Sequence, residues 1–162
     1  MQIRRGVITL TLVLAACAAP SQDERAFAGT PVISNQLEIA LHDSFVRAHE
    51  KRQRWITVEH LLLPLVDDPS IRGRLDFSGI DAATFRSELD SFVSPTETFP
   101  SGESVDTQPT VAFQKAIQYA ILQVQKSGDA EATPSHIYET AVAESKRLSL
   151  DPAVQRRLSS FK

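Results

Sequence analysis

A chain of 162 residues with 17 Lys and Arg against 20 Asp and Glu carries a formal charge of −3. That acidic balance argues against nucleic acid as the main partner, because a phosphate-binding surface normally carries a basic excess. A single cysteine excludes an intrachain disulfide, and the six glycines include no G-x-x-x-x-G-K-[S/T] loop to cradle nucleotide phosphates.

Residues 1–17 read as a secretory signal. Arg4 and Arg5 are followed by an uncharged run over 6–16, which is shorter than the roughly 20 residues that a membrane-spanning helix needs. The run ends in Leu14-Ala15-Ala16-Cys17, which resembles the lipobox of bacterial lipoproteins, whose cysteine is lipidated and becomes the new N-terminus. The expectation is a signal peptide over 1–16, lipidation at Cys17, and a flexible tether over 17–33, small and polar with Pro20 and Pro31. The plainer alternative is that Cys17 is a small residue at an ordinary cleavage site. Without Arg4 and Arg5 the mature chain has 15 basic against 20 acidic residues, a balance of −5.

Residues 34–162 have the size of one domain. Leu37, Ala40, Leu41, Phe45 and Ala48 recur at three- and four-residue spacing and predict a first helix over about 35–51. The basic cluster Arg47, Lys51, Arg52, Arg54 is read as the solvated face and end of that helix. Thr57 caps a second helix that ends near Asp67-Asp68-Pro69, with Pro64 in its body expected to kink it. A short third helix covers 70–75 and is closed by Phe77-Ser78-Gly79. Asp81 caps a fourth, with Phe85, Leu89 and Phe92 on one side.

Three prolines and no helical period make 94–109 a connector. A fifth helix runs from Thr110 to about residue 126, with Gly128 placed for a left-handed C-terminal cap. Thr133-Pro134 and Asp151-Pro152 read as N-caps with proline at the first helical position, opening helices six and seven. No convincing strand emerges.

The stretch Ile56-Thr57-Val58-Glu59-His60-Leu61 returns 76 residues later as Ala132-Thr133-Pro134-Ser135-His136-Ile137. At the same offset Leu37 falls on Phe113, Ala40 on Ala116, Leu41 on Ile117, Phe45 on Ile121 and Ala48 on Val124. The chain is therefore read as two copies of one helical unit. In the core Leu41 and Phe45 should meet Leu61 and Leu65, with Ile117 and Ile121 in the equivalent places.

No catalytic or metal-binding constellation is found. The histidines His42, His49, His60 and His136 form no H-E-x-x-H motif and have no cysteine beside them. Glu59 and His60 are adjacent, about 100° apart on a helix, and His60 and His136 are expected to bond backbone at the helix starts. Serines such as Ser44 lack a G-x-S-x-G setting.

The motif Thr57-Val58-Glu59-His60-Leu61-Leu62-Leu63 and the segment Asp106-Thr107-Gln108-Pro109-Thr110, with the helices around them, resemble the N-terminal domain of Clp-type AAA+ unfoldases, most like the ClpA type. The resemblance covers about 35–144. It implies an all-α fold, a pseudo-twofold pair of helical repeats that docks adaptors and substrates while separate ATPase modules do the work. Repeat one spans about 35–93 and repeat two about 110–162. The second is shortened, with room for three helices where the family has four, and has Ser135 in the place of Glu59.

The family's adaptor-facing surface maps onto Glu59, Thr110 and Lys115, with Tyr119 where a second basic residue stands in the family. The implied function is a non-enzymatic, lipid-anchored protein- or peptide-binding module, with no cofactor, metal, nucleotide or nucleic acid. By resemblance to lipoprotein sorting, Ala18 after Cys17 points to the outer membrane, facing the periplasm. Two alternatives stay open: a structural or accessory envelope lipoprotein that keeps the fold but not the recognition face, and a cytoplasmic competitor for Clp adaptors.

Overall fold

Helix starts in this chain are set by short polar side chains that take up amides left without an intrahelical partner. Ser34 opens α1 (Asn35–Glu50) by accepting from the Leu37 amide. Thr57 opens α2 (Val58–Leu65), and Asp68 opens α3 (Pro69–Phe77) by accepting from Ser70. Asp81 opens α4 (Ala82–Val93), Thr110 α5 (Val111–Ser127), Thr133 α6 (Pro134–Glu144) and Asp151 α7 (Pro152–Leu158). The computed structural model describes residues 32–160. The signal segment, Cys17 and nearly all of the tether lie outside the described residues.

The architecture is the expected all-α pair of repeats, with α1–α4 in the first and α5–α7 in the second. Gly128 caps α5 with φ of 80°, the left-handed conformation that glycine adopts without a Cβ penalty. Pro64 falls in the last turn of α2, which ends one residue later, so its missing amide costs one hydrogen bond at the end of the helix. The third helix is longer than the sequence pattern implies because Asp68 caps it before Pro69.

The sequence shows no strand, yet four pairs of residues form one: β1 (Val32–Ile33), β2 (Trp55–Ile56), β3 (Gln108–Pro109) and β4 (Glu131–Ala132). Two residues carry no readable alternation; what makes them strands is pairing across the repeats. β1 runs parallel to β4 and β2 parallel to β3. The two pairings interchange under the 76-residue offset, which is the signature of the pseudo-twofold relation.

The offset holds in burial as well. Leu37, Ala40, Leu41 and Ala48 are buried together with Phe113, Ala116, Ile117 and Val124. Phe45 corrects the sequence reading: it is half-buried, as is Ile121. The buried position beside it belongs to Ser44, whose hydroxyl donates to the Ala40 carbonyl at 2.6 Å. Phe45 instead lies edge-on to Phe113, with ring centroids 5.8 Å apart. On α4 the buried line is Phe85, Leu89 and Val93, not Phe92, because a spacing of four keeps Val93 on the inner face.

These burial differences set an order of mutational cost. Phe113→Ala should destabilise by about 3–5 kcal/mol, as for a fully buried aromatic. Phe45→Ala should cost about 1–2 kcal/mol, part of it the edge-on ring contact. Urea unfolding of the two variants checks that order.

Candidate functional site

The β2–β3 pairing brings the start of α2 next to the start of α5, since the Thr110 amide donates to the Ile56 carbonyl at 3.0 Å. Glu59 and Thr110, far apart in sequence, thus stand on neighbouring helix starts. Thr110 is half-buried, its hydroxyl accepting from the Phe113 amide at 3.2 Å. Glu59 is only 8% exposed, and its carboxylate accepts from the Asp151 amide at 3.0 Å. This carboxylate holds the N-cap of α7 against α2, a structural duty that the residue pattern did not reveal.

Lys115 is exposed on α5 and Tyr119 is half-buried. Lys115 belongs to a strip that sequence reading did not single out. Val111, Lys115, Gln118 and Leu122 are all exposed and fall within about 60° of one another on a 3.6-residue helix. Val111 is 65% exposed. The available signal was that Val111 and Leu122 are out of phase with the buried line Phe113, Ala116, Ala120, Val124. Tyr119 sits at the margin of this strip. Trp55, on the strand that adjoins β3, is a further exposed aromatic.

Glu59 and His60 do not form an acid–base pair. The His60 ring is committed on both sides: Nδ1 accepts from the Thr57 amide at 3.1 Å, with the Thr57 hydroxyl at 3.0 Å, and Nε2 lies 2.9 Å from Gln53 Oε1. An amide donating to Nδ1 fixes the tautomer with the proton on Nε2. Burial, and then the charge of Lys51, lower the pKa of His60 from 6.5 to about 4. His136 repeats the arrangement, with Nδ1 3.2 Å from the Thr133 amide and Nε2 3.2 Å from Asp129 Oδ2. Each imidazole thus fills the role that Glu or Gln has in a capping box, as expected of helix-start histidines. Their partners seven residues back, Gln53 and Asp129, were not anticipated. Among the described residues no group of three or more His, Cys, Asp or Glu could hold a metal ion.

A family model described as the Clp repeat (R) N-terminal domain matches residues 32–149. This chain belongs to that family. It is 32% identical over 132 residues to the ClpA homolog protein of Fuscovulum blasticum. The match takes in 80% of this chain and 17% of that protein, so the chain spans less than a fifth of its relative's length. Among solved structures it is similar to the N-domain of ClpV from Vibrio cholerae, with a TM-score of 0.66 and 20% identity over 80% of this chain and 77% of that one. A complex of a ClpV N-domain with a VipB peptide matches with a TM-score of 0.65 and 20% identity, covering 80% and 79%. At that identity the likeness is one of fold. The Clp N domain here is two related helical repeats joined by the exchanged strand pairs.

Two outcomes follow from the site geometry. Because folded His60 stays neutral where the unfolded chain binds a proton, stability should fall as pH drops from about 6.5 to about 4, by about 3 kcal/mol in all. His60→Gln, which can complete the same cap, should lose that component of the pH dependence in urea titrations at pH 7 and pH 4.5. Glu59→Ala should cost about 1–3 kcal/mol by orphaning the Asp151 amide, and hydrogen exchange at that amide should accelerate.

Proposed function

We propose that this chain is a non-enzymatic protein- or peptide-binding module of the Clp N-domain type, held at the bacterial envelope by a lipid on Cys17. The observation that carries the binding reading is the exposed strip Val111, Lys115, Gln118, Leu122 on α5, with Trp55 on the adjoining strand. Apolar side chains around one cation, raised on a rigid helix, suit a protein contact: the apolar groups supply desolvation and Lys115 supplies orientation. That a ClpV N-domain of the same fold has been solved with a VipB peptide supports this use of the fold. In this reading Lys115 and Tyr119 meet the partner. Thr110 and Glu59 act beneath them, one as the cap of α5 and the other as the tie to α7.

The anchoring reading rests on the sequence over 1–17. No helix among the described residues is long and apolar enough to cross a membrane. Several acyl chains on Cys17, at about 0.8 kcal/mol per buried methylene, supply stable attachment, and Ala18 points to the outer membrane with the domain in the periplasm. A structural or accessory lipoprotein is the second reading, favoured by Glu59 having been turned inward to a structural task.

Mass spectrometry of the mature N-terminus should find a lipidated Cys17, and Cys17→Ser should move the protein out of the membrane fraction. Cross-linking in intact cells should then recover a partner protein whose yield falls about tenfold or more in Val111→Asp and Lys115→Glu, with Glu59→Gln unchanged. Equal yields in all of them would give the accessory reading precedence.

A further inference from the structure

The two repeats share a backbone but differ in what lies against the turn between their first two helices. In the first, Arg52 adopts a left-handed φ of 56°. Its carbonyl accepts from the Phe99 amide at 2.7 Å, and the Arg54 amide donates to the Glu97 carbonyl at 2.7 Å. With Gln53 bridged antiparallel to Thr98, the connector is added to this turn as a short strand, and Gln53 is left 1% exposed. Arginines read the added strand. Arg54 pairs with Glu97 at 3.2 Å and lies 4.5 Å over the Phe99 ring, and Arg52 donates to the carbonyls of Pro100 and Glu103 at 2.6 and 2.7 Å.

Seventy-six residues on, Gly128 stands in the place of Arg52 with φ of 80°. Asp129 bonds His136 as Gln53 bonds His60, and Ala130 precedes β4 as Arg54 precedes β2. Here, however, Gly128, Asp129, Ala130 and Glu131 are all exposed. Among the described residues neither the Ala130 amide nor the Gly128 carbonyl has a partner. A donor and an acceptor two residues apart, in a backbone shape that the first repeat uses to take up a strand, make an edge open to strand addition. The charge differs as well. The arginine positions are taken by uncharged Gly128 and Ala130, and Glu131, one residue on, stands where Trp55 does and would favour a basic residue opposite it.

We propose that Gly128–Ala130 is a strand-addition site for an extended segment of a partner protein, bound antiparallel, with Lys or Arg opposite Glu131, at the position that Thr96 occupies in the first repeat. The site lies at the opposite end of α5 from Val111. It rests on the reading of the chain as a protein-binding module, but its test does not pass through the α5 strip.

The probe is a synthetic peptide with the sequence of residues 95–101 and Lys in place of Thr96. It is titrated into the ¹⁵N-labelled full chain bearing Cys17→Ser. The expected result is saturable amide shifts confined to residues 128–132. Methylating the peptide nitrogen of its Phe, which removes the donor to the Gly128 carbonyl without altering the protein, should weaken binding about tenfold or more. Glu131→Lys should do the same, while Lys115→Glu should leave the affinity unchanged. Absence of shifts at 128–132, equal binding of the N-methyl peptide, or equal binding of the parent peptide with Thr96 would each overturn the proposal. Loss of the cross-linked partner in Lys115→Glu together with an inert edge would leave the α5 reading standing alone.

Discussion

The exchange of two-residue strands between the repeats is the constraint on which the rest of the domain depends. Each pairing joins a strand that precedes the first helix of one repeat to a strand that precedes the second helix of the other. Strands this short have no stability of their own. They hold because Ile56 and Ala132, at the helix starts, are both fully buried, so pairing and burial are satisfied by the same residues. Out of the pairing come the neighbouring starts of α2 and α5, which bring Glu59 and Thr110 onto adjoining helix ends.

The histidines explain how the second helix of each repeat begins so close to a strand. A Glu at the third helical position can complete a capping box, but it brings a charge into a site that is buried at His60. A neutral imidazole accepts from the Thr amide with Nδ1 and spends its Nε2 proton on Gln53 in one repeat and on Asp129 in the other. Where the partner is uncharged Gln53 the site is closed over by the connector; where it is Asp129 the site is open. The repeats thus diverge in side chains while the backbone, down to the left-handed φ at Arg52 and Gly128, stays the same.

Much of the working asymmetry comes from α7. Its N-cap, Asp151 with Pro152 behind it, mirrors Asp68 and Pro69 at α3, and both aspartates accept from the amide two residues on. The tie from Glu59 to Asp151 fixes one end of α7, and the paired contact of Arg157 with Glu88 on α4 fixes the other. A residue that resemblance places on a docking face is an internal strut here.

Helix content, the 76-residue repeat, the caps at Thr57, Asp81, Thr110, Thr133 and Asp151, and the left-handed Gly128 were all legible in the sequence. Each depends on side chains a few residues apart, where the 3.6-residue period and capping chemistry act locally. The strands were not legible, because pairs such as Trp55–Ile56 and Gln108–Pro109 acquire meaning only when a partner 53 residues away in sequence is brought alongside. Nor was the margin of the core: Phe45 and Ser44 differ by one residue, and only the packing of α1 against α2 and α6 decided that the ring would sit at the edge and the hydroxyl inside. Glu59 shows the same division. Its place in the second position of a helix follows from local pattern, but whether its carboxylate meets solvent or a distant amide is a property of three-dimensional proximity that no local pattern encodes.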